Sequence, residues 1–150
     1  MGVPFPVPWF QSAVDLDITK GANFASAGSG LLDYTSQSLN VLSFGHQVKE
    51  FKNIISMLEA GSEHGHYETE QFLWDSIIAI HVGEKDIAGN YMANATLRNT
   101  VGPEAFIEFL LKVYENYLLR LHKMGGRKFV VLPLGCSTGM RYSGLARWND

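Results

Sequence analysis

Two short runs, Ser76-Ile77-Ile78-Ala79-Ile80-His81-Val82 and Arg127-Lys128-Phe129-Val130-Val131-Leu132, constrain this chain more than any other feature. Both are apolar without alternation, as strands covered on both faces are. Between them Pro103 opens a segment in which Phe106, Phe109, Leu110, Val113, Tyr117 and Leu121 recur at helical spacing, until Gly125-Gly126 stops it. Proline suits a first helical turn and glycine a helix end, so the order is strand, helix, strand. Such a unit closes as a right-handed crossover between parallel strands.

Upstream, from Ser43 to Gly61, Val48, Phe51, Ile54, Ile55 and Leu58 share one face and Gln47, Lys49, Glu50, Lys52 and Asn53 the other. This predicts a second amphipathic helix with Glu50 and Lys52 on a solvated face. Residues 63–70, with His64 and His66, read as a polar connection, and residues 1–20, rich in proline, as an extended surface segment. Gly21 to Gly30 reads as a brief strand entering a tight turn of small residues, where backbone N–H groups can approach a ligand. The pattern is that of a layered α/β sheet. Ligands of such sheets bind beyond the carboxyl ends of the strands, here at loops 26–30, 83–90 and 133–141.

Composition narrows the function. The 150 residues contain 46% apolar residues, enough for one core and one domain. A net charge of -3 supplies no field for phosphate backbones, so nucleic acid is not expected as a partner. Cys136 is the sole cysteine, which excludes an internal disulfide and a paired-cysteine zinc site. The apolar runs at 77–82 and 129–134 fall far short of the roughly 20 residues that a membrane span needs. The proline-rich start Met1 to Pro8 does not read as a signal peptide, and Pro6 breaks the myristoylation pattern that Gly2 would open.

The segments Gly21-Ala22-Asn23-Phe24-Ala25-Ser26-Ala27-Gly28-Ser29-Gly30, Gly83-Glu84-Lys85-Asp86 and Arg127-Lys128-Phe129-Val130-Val131-Leu132-Pro133-Leu134-Gly135-Cys136-Ser137 resemble, in order and spacing, blocks of the plant GDSL esterase/lipases of the SGNH hydrolase superfamily. Gln47-Val48-Lys49-Glu50-Phe51-Lys52 and Val113-Tyr114-Glu115-Asn116-Tyr117-Leu118 add to the likeness, which runs over residues 3–142, the central portion of such a protein. The resemblance implies a flavodoxin-like, three-layer α/β/α fold with a parallel sheet, here truncated at both ends. It implies hydrolysis of acyl or lipid esters by a serine nucleophile, with no cofactor and no metal, in a secreted protein. It also assigns oxyanion donors: the N–H of Gly28, and the position of Lys85, which stands where the family carries asparagine. The Gly-Asp-Ser block with the nucleophile and the Asp-x-x-His block with the base have no counterpart in residues 1–150, and the approach to Cys136 is shortened. The expectation is therefore no catalytic residue in this chain and no turnover by it. A non-catalytic acyl-binding or interaction module is the alternative, with self-association through exposed apolar edges.

Other residues admit chemical readings that the pattern does not favour. Ser26 and Ser29 lie outside any Gly-x-Ser-x-Gly elbow and read as turn residues. His81 reads as a core or strand-end histidine, His64-Gly65-His66 as a solvated loop rather than a metal site, and Cys136 as structural. Asn94-Ala95-Thr96 is a glycosylation triplet, with Asn94 as acceptor in an exported protein. A nucleotide-binding protein is the third reading, but no Gly-x-Gly-x-x-Gly or phosphate loop is present.

Overall fold

The computed structural model describes residues 6–11, 18–61 and 65–133, a mixed α/β arrangement of short parallel strands and helices. Strand β1 (Val7–Pro8) pairs in parallel with β2 (Ala22–Asn23). Helices α1 (Phe44–Gly61) and α2 (Gly65–Asp75) follow, then β3 (Ile77–Ile80), α3 (Ala95–Thr100), α4 (Pro103–Lys123) and β4 (Lys128–Val131). Strands β3 and β4 pair in parallel, Ile77 with Lys128 through Ile80 with Val131, as the strand-helix-strand pattern predicts.

Apolar spacing explains the two long helices. Helix α1 buries Phe44, Val48 and Ile54, and α4 buries Phe106, Leu110 and Leu121. These faces meet Leu31, Leu32, Ile80 and Tyr91 in one core, so the turn after β2 and the end of β3 are fixed by the same packing. Each fully buried Leu or Phe side chain stabilises such a core by roughly 1.5–3 kcal/mol. Phe44 meets the Tyr117 ring edge-on at 5.1 Å, and Tyr91 stacks on Phe106 at 4.5 Å while its hydroxyl donates to the Val101 carbonyl at 2.8 Å.

Four expectations need correction. Residues 65–70 are not a connection but the first half of α2, which buries only Thr69 and Leu73 and leaves too weak an apolar stripe to be read as a helix. Residues 6–11, expected within an extended surface segment, are anchored, because Trp9 is 7% exposed, tilts against Phe24 at 6.3 Å and donates its indole N–H to Glu50 at 3.1 Å. Glu50 is accordingly half-buried and paired rather than a solvated face residue. Finally, β3 and β4 are not covered on both faces: Ile80 is buried, but Ile77 is 67% exposed and Val130 and Val131 are 45% and 46% exposed. Among the described residues the helices cover one face only, so the two-sided apolar character of these strands is only half used. No helix of the described residues is long and apolar enough to cross a membrane.

Candidate active-site loops

The turn after β2 closes with the Ser29 N–H on the Ser26 carbonyl at 3.0 Å. Gly28, its third residue, has φ +85°, a left-handed conformation open to glycine without the penalty a Cβ would bring. The two serine hydroxyls serve the same turn: Ser26 Oγ accepts from the Leu42 N–H at 3.1 Å and Ser29 Oγ from Gln47 Nε2 at 3.1 Å. Among the described residues neither hydroxyl bonds a histidine, as a nucleophile would require.

Beyond Gly28 the chain runs into Leu31 and Leu32, whose side chains enter the core. Their backbone is held from the other side by Asp86, the last residue of the Gly83-Glu84-Lys85-Asp86 loop. Asp86 is fully buried, and its carboxylate accepts the Leu31 N–H at 2.7 Å, the Leu32 N–H at 3.0 Å and the Thr35 hydroxyl at 2.6 Å. Asn90 adds a donor to Thr35 Oγ1 at 3.4 Å. The loop carrying Gly28 and the loop carrying Lys85 are therefore tied together through one side chain, across 54 and 55 residues of sequence. A Cβ at Gly30 would lie 2.6 Å from the Asp86 carboxylate and from Thr35, so the clamp requires glycine there.

Sequence alone does not single out the clamp, although Asp86 closes the Gly83-Glu84-Lys85-Asp86 block and the pair Leu31-Leu32 follows the glycine turn directly. An acid beside a Lys in a polar loop gives no sign of burial. Lys85 itself is exposed and precedes a wide π-type turn, Asp86–Tyr91, closed by the Met92 N–H on the Ile87 carbonyl at 2.8 Å. The stretch 83–90 is thus partly helical rather than an open loop. Behind the clamp, Asp33 accepts from Ser43 Oγ at 2.6 Å. Burial, and then the negative charge of Asp33, raise the Tyr117 phenol above its ordinary pKa, while Arg120 sits over its ring at 5.4 Å.

The other candidate residues fall elsewhere. His81 is exposed at the end of β3. His66 is exposed and paired with Glu59 at 3.0 Å, a contact that raises its pKa; His64 lies outside the described residues. Among the described residues no group of three or more metal-ligating side chains comes together. Asn94 is exposed and caps α3, its side-chain oxygen accepting the Leu97 N–H at 3.0 Å. Cys136 and all of the loop 133–141 except Pro133 lie outside the described residues.

No family model matches the chain, and no solved structure matches it. Curated proteins do. GDSL esterase/lipase At5g45950 of Arabidopsis thaliana is 33% identical over 147 residues, 95% of this chain and 40% of that protein. GDSL esterase/lipase At1g71691 of the same plant is 32% identical over 152 residues, all of this chain and 39% of the relative. The chain spans about two fifths of the length of these relatives. Over that region, the ordered blocks and these identities make the chain a partial-region member of the GDSL esterase/lipase family.

Proposed function

We propose that this chain forms the oxyanion-stabilising part of a carboxylic ester hydrolase acting on acyl or lipid esters, and that the polypeptide of residues 1–150 by itself does not turn esters over. The observation that supports this most is the Asp86 clamp, which holds the Gly28 turn against the loop of Lys85. Developing negative charge on a carbonyl oxygen is stabilised best by donors that are fixed before the reaction begins. Gly28 would offer a backbone N–H on a turn whose far side is locked by a buried carboxylate and two core leucines. Lys85 would attract the same oxygen by charge, on a flexible stem, without the short fixed amide bond of the family's asparagine.

The attacking serine and the base that takes its proton would come from polypeptide outside residues 1–150, which by resemblance contain neither block. In the complete protein we place this chain, with its core at residues 21–142, within one three-layer, flavodoxin-like α/β/α hydrolase domain. The pairing of β3 with β4 and the family match support that reading.

Two measurements test it. Residues 1–150 alone should leave p-nitrophenyl butyrate at the buffer rate; turnover blocked by an organophosphonate that labels one of its serines would refute the proposal. The chain should also replace the matching region of GDSL esterase/lipase At5g45950 in a chimera that retains weak esterase activity. There Lys85→Asn should raise kcat roughly a hundredfold, the usual worth of one oxyanion donor. A kcat that falls or stays level on Lys85→Asn would remove Lys85 from the oxyanion site.

A further inference from the structure

Helix α2 turns two aromatic rings away from the core. Thr69 and Leu73 are its buried residues, whereas Tyr67 is 72% and Trp74 53% exposed. Seven residues of helix advance about 10.5 Å and about 700°, so the two side chains leave the axis within about 20° of one another, two turns apart. Glu70 and Gln71, both exposed, occupy the turn between them on the same side. The strip is held in place. The Arg127 guanidinium lies over the Trp74 ring at 5.7 Å, and its Nη1 donates to the His122 and Gly126 carbonyls at 2.8 and 2.9 Å. Gln71 donates to Asp75 at 3.0 Å, and Asp75 accepts from Lys128 at 3.4 Å. With one ring face under the guanidinium, the indole offers the opposite one to solvent.

The chemistry of this strip selects among occupants. An apolar partner needs continuous aliphatic surface, and here a carboxylate and an amide stand between the two rings. A polyanion needs uncommitted cations, and the two cations bonded to this end of α2, Arg127 and Lys128, are engaged within the chain. A pyranose satisfies both halves of the strip. Its C–H face lies on the electron-rich face of an aromatic ring, and its equatorial hydroxyls bond carboxylate and amide groups. In a β-1,4-linked glycan every second sugar presents the same face, and the disaccharide repeat is close in length to two turns of helix. We infer that the Tyr67–Trp74 face of α2 binds an extended, neutral β-1,4-linked glycan, with the two rings under alternate sugars and Glu70 and Gln71 bonding hydroxyls between them. The site does not depend on the ester chemistry proposed above.

The test uses the 150-residue chain and cellohexaose, with maltohexaose, the α-1,4-linked isomer whose chain curls, as control. Cellohexaose at about 10 mM should shift the NMR signals of the Trp74 indole and the Tyr67 ring, with affinity on the order of 1 mM. Tyr67→Ala and Trp74→Ala should each weaken binding about tenfold, and Tyr67→Phe, which keeps the ring, should restore it. Because both side chains are exposed, the urea midpoints should stay near that of the wild type. Cellobiose, too short to reach both rings, should bind at least about tenfold more weakly than cellohexaose, a comparison that needs no variant. Unmoved Tyr67 and Trp74 signals would overturn the inference, as would equal shifts by maltohexaose, equal binding of cellobiose, or an alanine variant that binds as the wild type does. Shifts of both rings on raising the chain concentration alone would reassign the face to a second copy, and shifts caused by phosphatidylcholine vesicles would reassign it to a membrane surface; either result overturns the glycan site.

Discussion

Asp86→Ala removes one acceptor from three buried or part-buried donors, and the structure allows the cost to be apportioned. The Leu31 and Leu32 N–H groups are fixed by the backbone and cannot turn elsewhere, so each loses its bond outright, at about 1–3 kcal/mol. The buried Thr35 hydroxyl loses its acceptor too but, being free to rotate, adds less than a fixed N–H. Relief of the desolvated carboxylate offsets part of the loss, leaving a net destabilisation of about 2–4 kcal/mol. Asp86→Asn keeps the shape but sets one NH₂ against a backbone N–H, so it loses one bond of the pair and should cost about half as much. Urea unfolding would rank the variants as wild type, Asn, then Ala. Hydrogen exchange would locate the effect, because the Leu31 and Leu32 amides should speed up before the amides in the middle of α4 do. If both variants unfold within about 0.5 kcal/mol of wild type and the two amides stay slow, Asp86 does not clamp the loop and the reasoning fails.

Gly30→Ala, which would set a Cβ 2.6 Å from the Asp86 carboxylate and from Thr35, should cost about 1–3 kcal/mol in the same urea assay. Its exchange signature should match that of Asp86→Asn; an unperturbed Leu31 amide would contradict the close approach. The Trp9 indole bond, followed by the hydrogen bond that Asn53 Nδ2 donates at 3.1 Å, holds the Glu50 carboxyl below its ordinary range. That contribution is therefore present above the unfolded-state pKa of Glu and is lost as pH falls through the lower folded value. Trp9 fluorescence should shift on acidification in that window, and Glu50→Gln should abolish the shift. His66 should titrate above a free histidine because of its hydrogen bond to Glu59, and Glu59→Gln should return it towards the free value by NMR. What little this exposed contact stabilises is present at acid pH and lost as pH rises through the raised pKa.

Periodicity carried the helices and the paired strands. The spacing of Phe106, Leu110 and Leu121 and the uniform runs at 77–80 and 128–131 depend on neighbours close in sequence, which a single chain displays. Helix α2 escaped because its buried side is two residues wide, Thr69 and Leu73, and its polar face dominates the count. Trp9 and Asp86 escaped for a different reason. Each is defined by a partner more than 40 residues away, Glu50 in one case and Leu31 to Thr35 in the other, and no local pattern reveals such a meeting. The proposed site was legible as two loops, through the blocks that carry Gly28 and Lys85, but not the side chain that joins them.

The wide turn Asp86–Tyr91 has a consequence for tolerance to insertion and deletion. In an ordinary α-helix five residues advance about 500°, which would swing Tyr91 roughly 140° away from Asp86. The bond from the Met92 N–H to the Ile87 carbonyl widens the coil instead, so that the acid and the ring both face inward, one towards Leu31 and the other onto Phe106. Excising Gly89, an exposed residue, would bring the two to a spacing of four, at which a standard helical turn also superimposes them. Adding a residue at the same point would set the two six apart, about 120° from each other around a standard α-helix, so that winding could no longer serve both. The turn is thus a place where the polypeptide can shorten by one but not lengthen, an asymmetry that length variants at residue 89 would display directly.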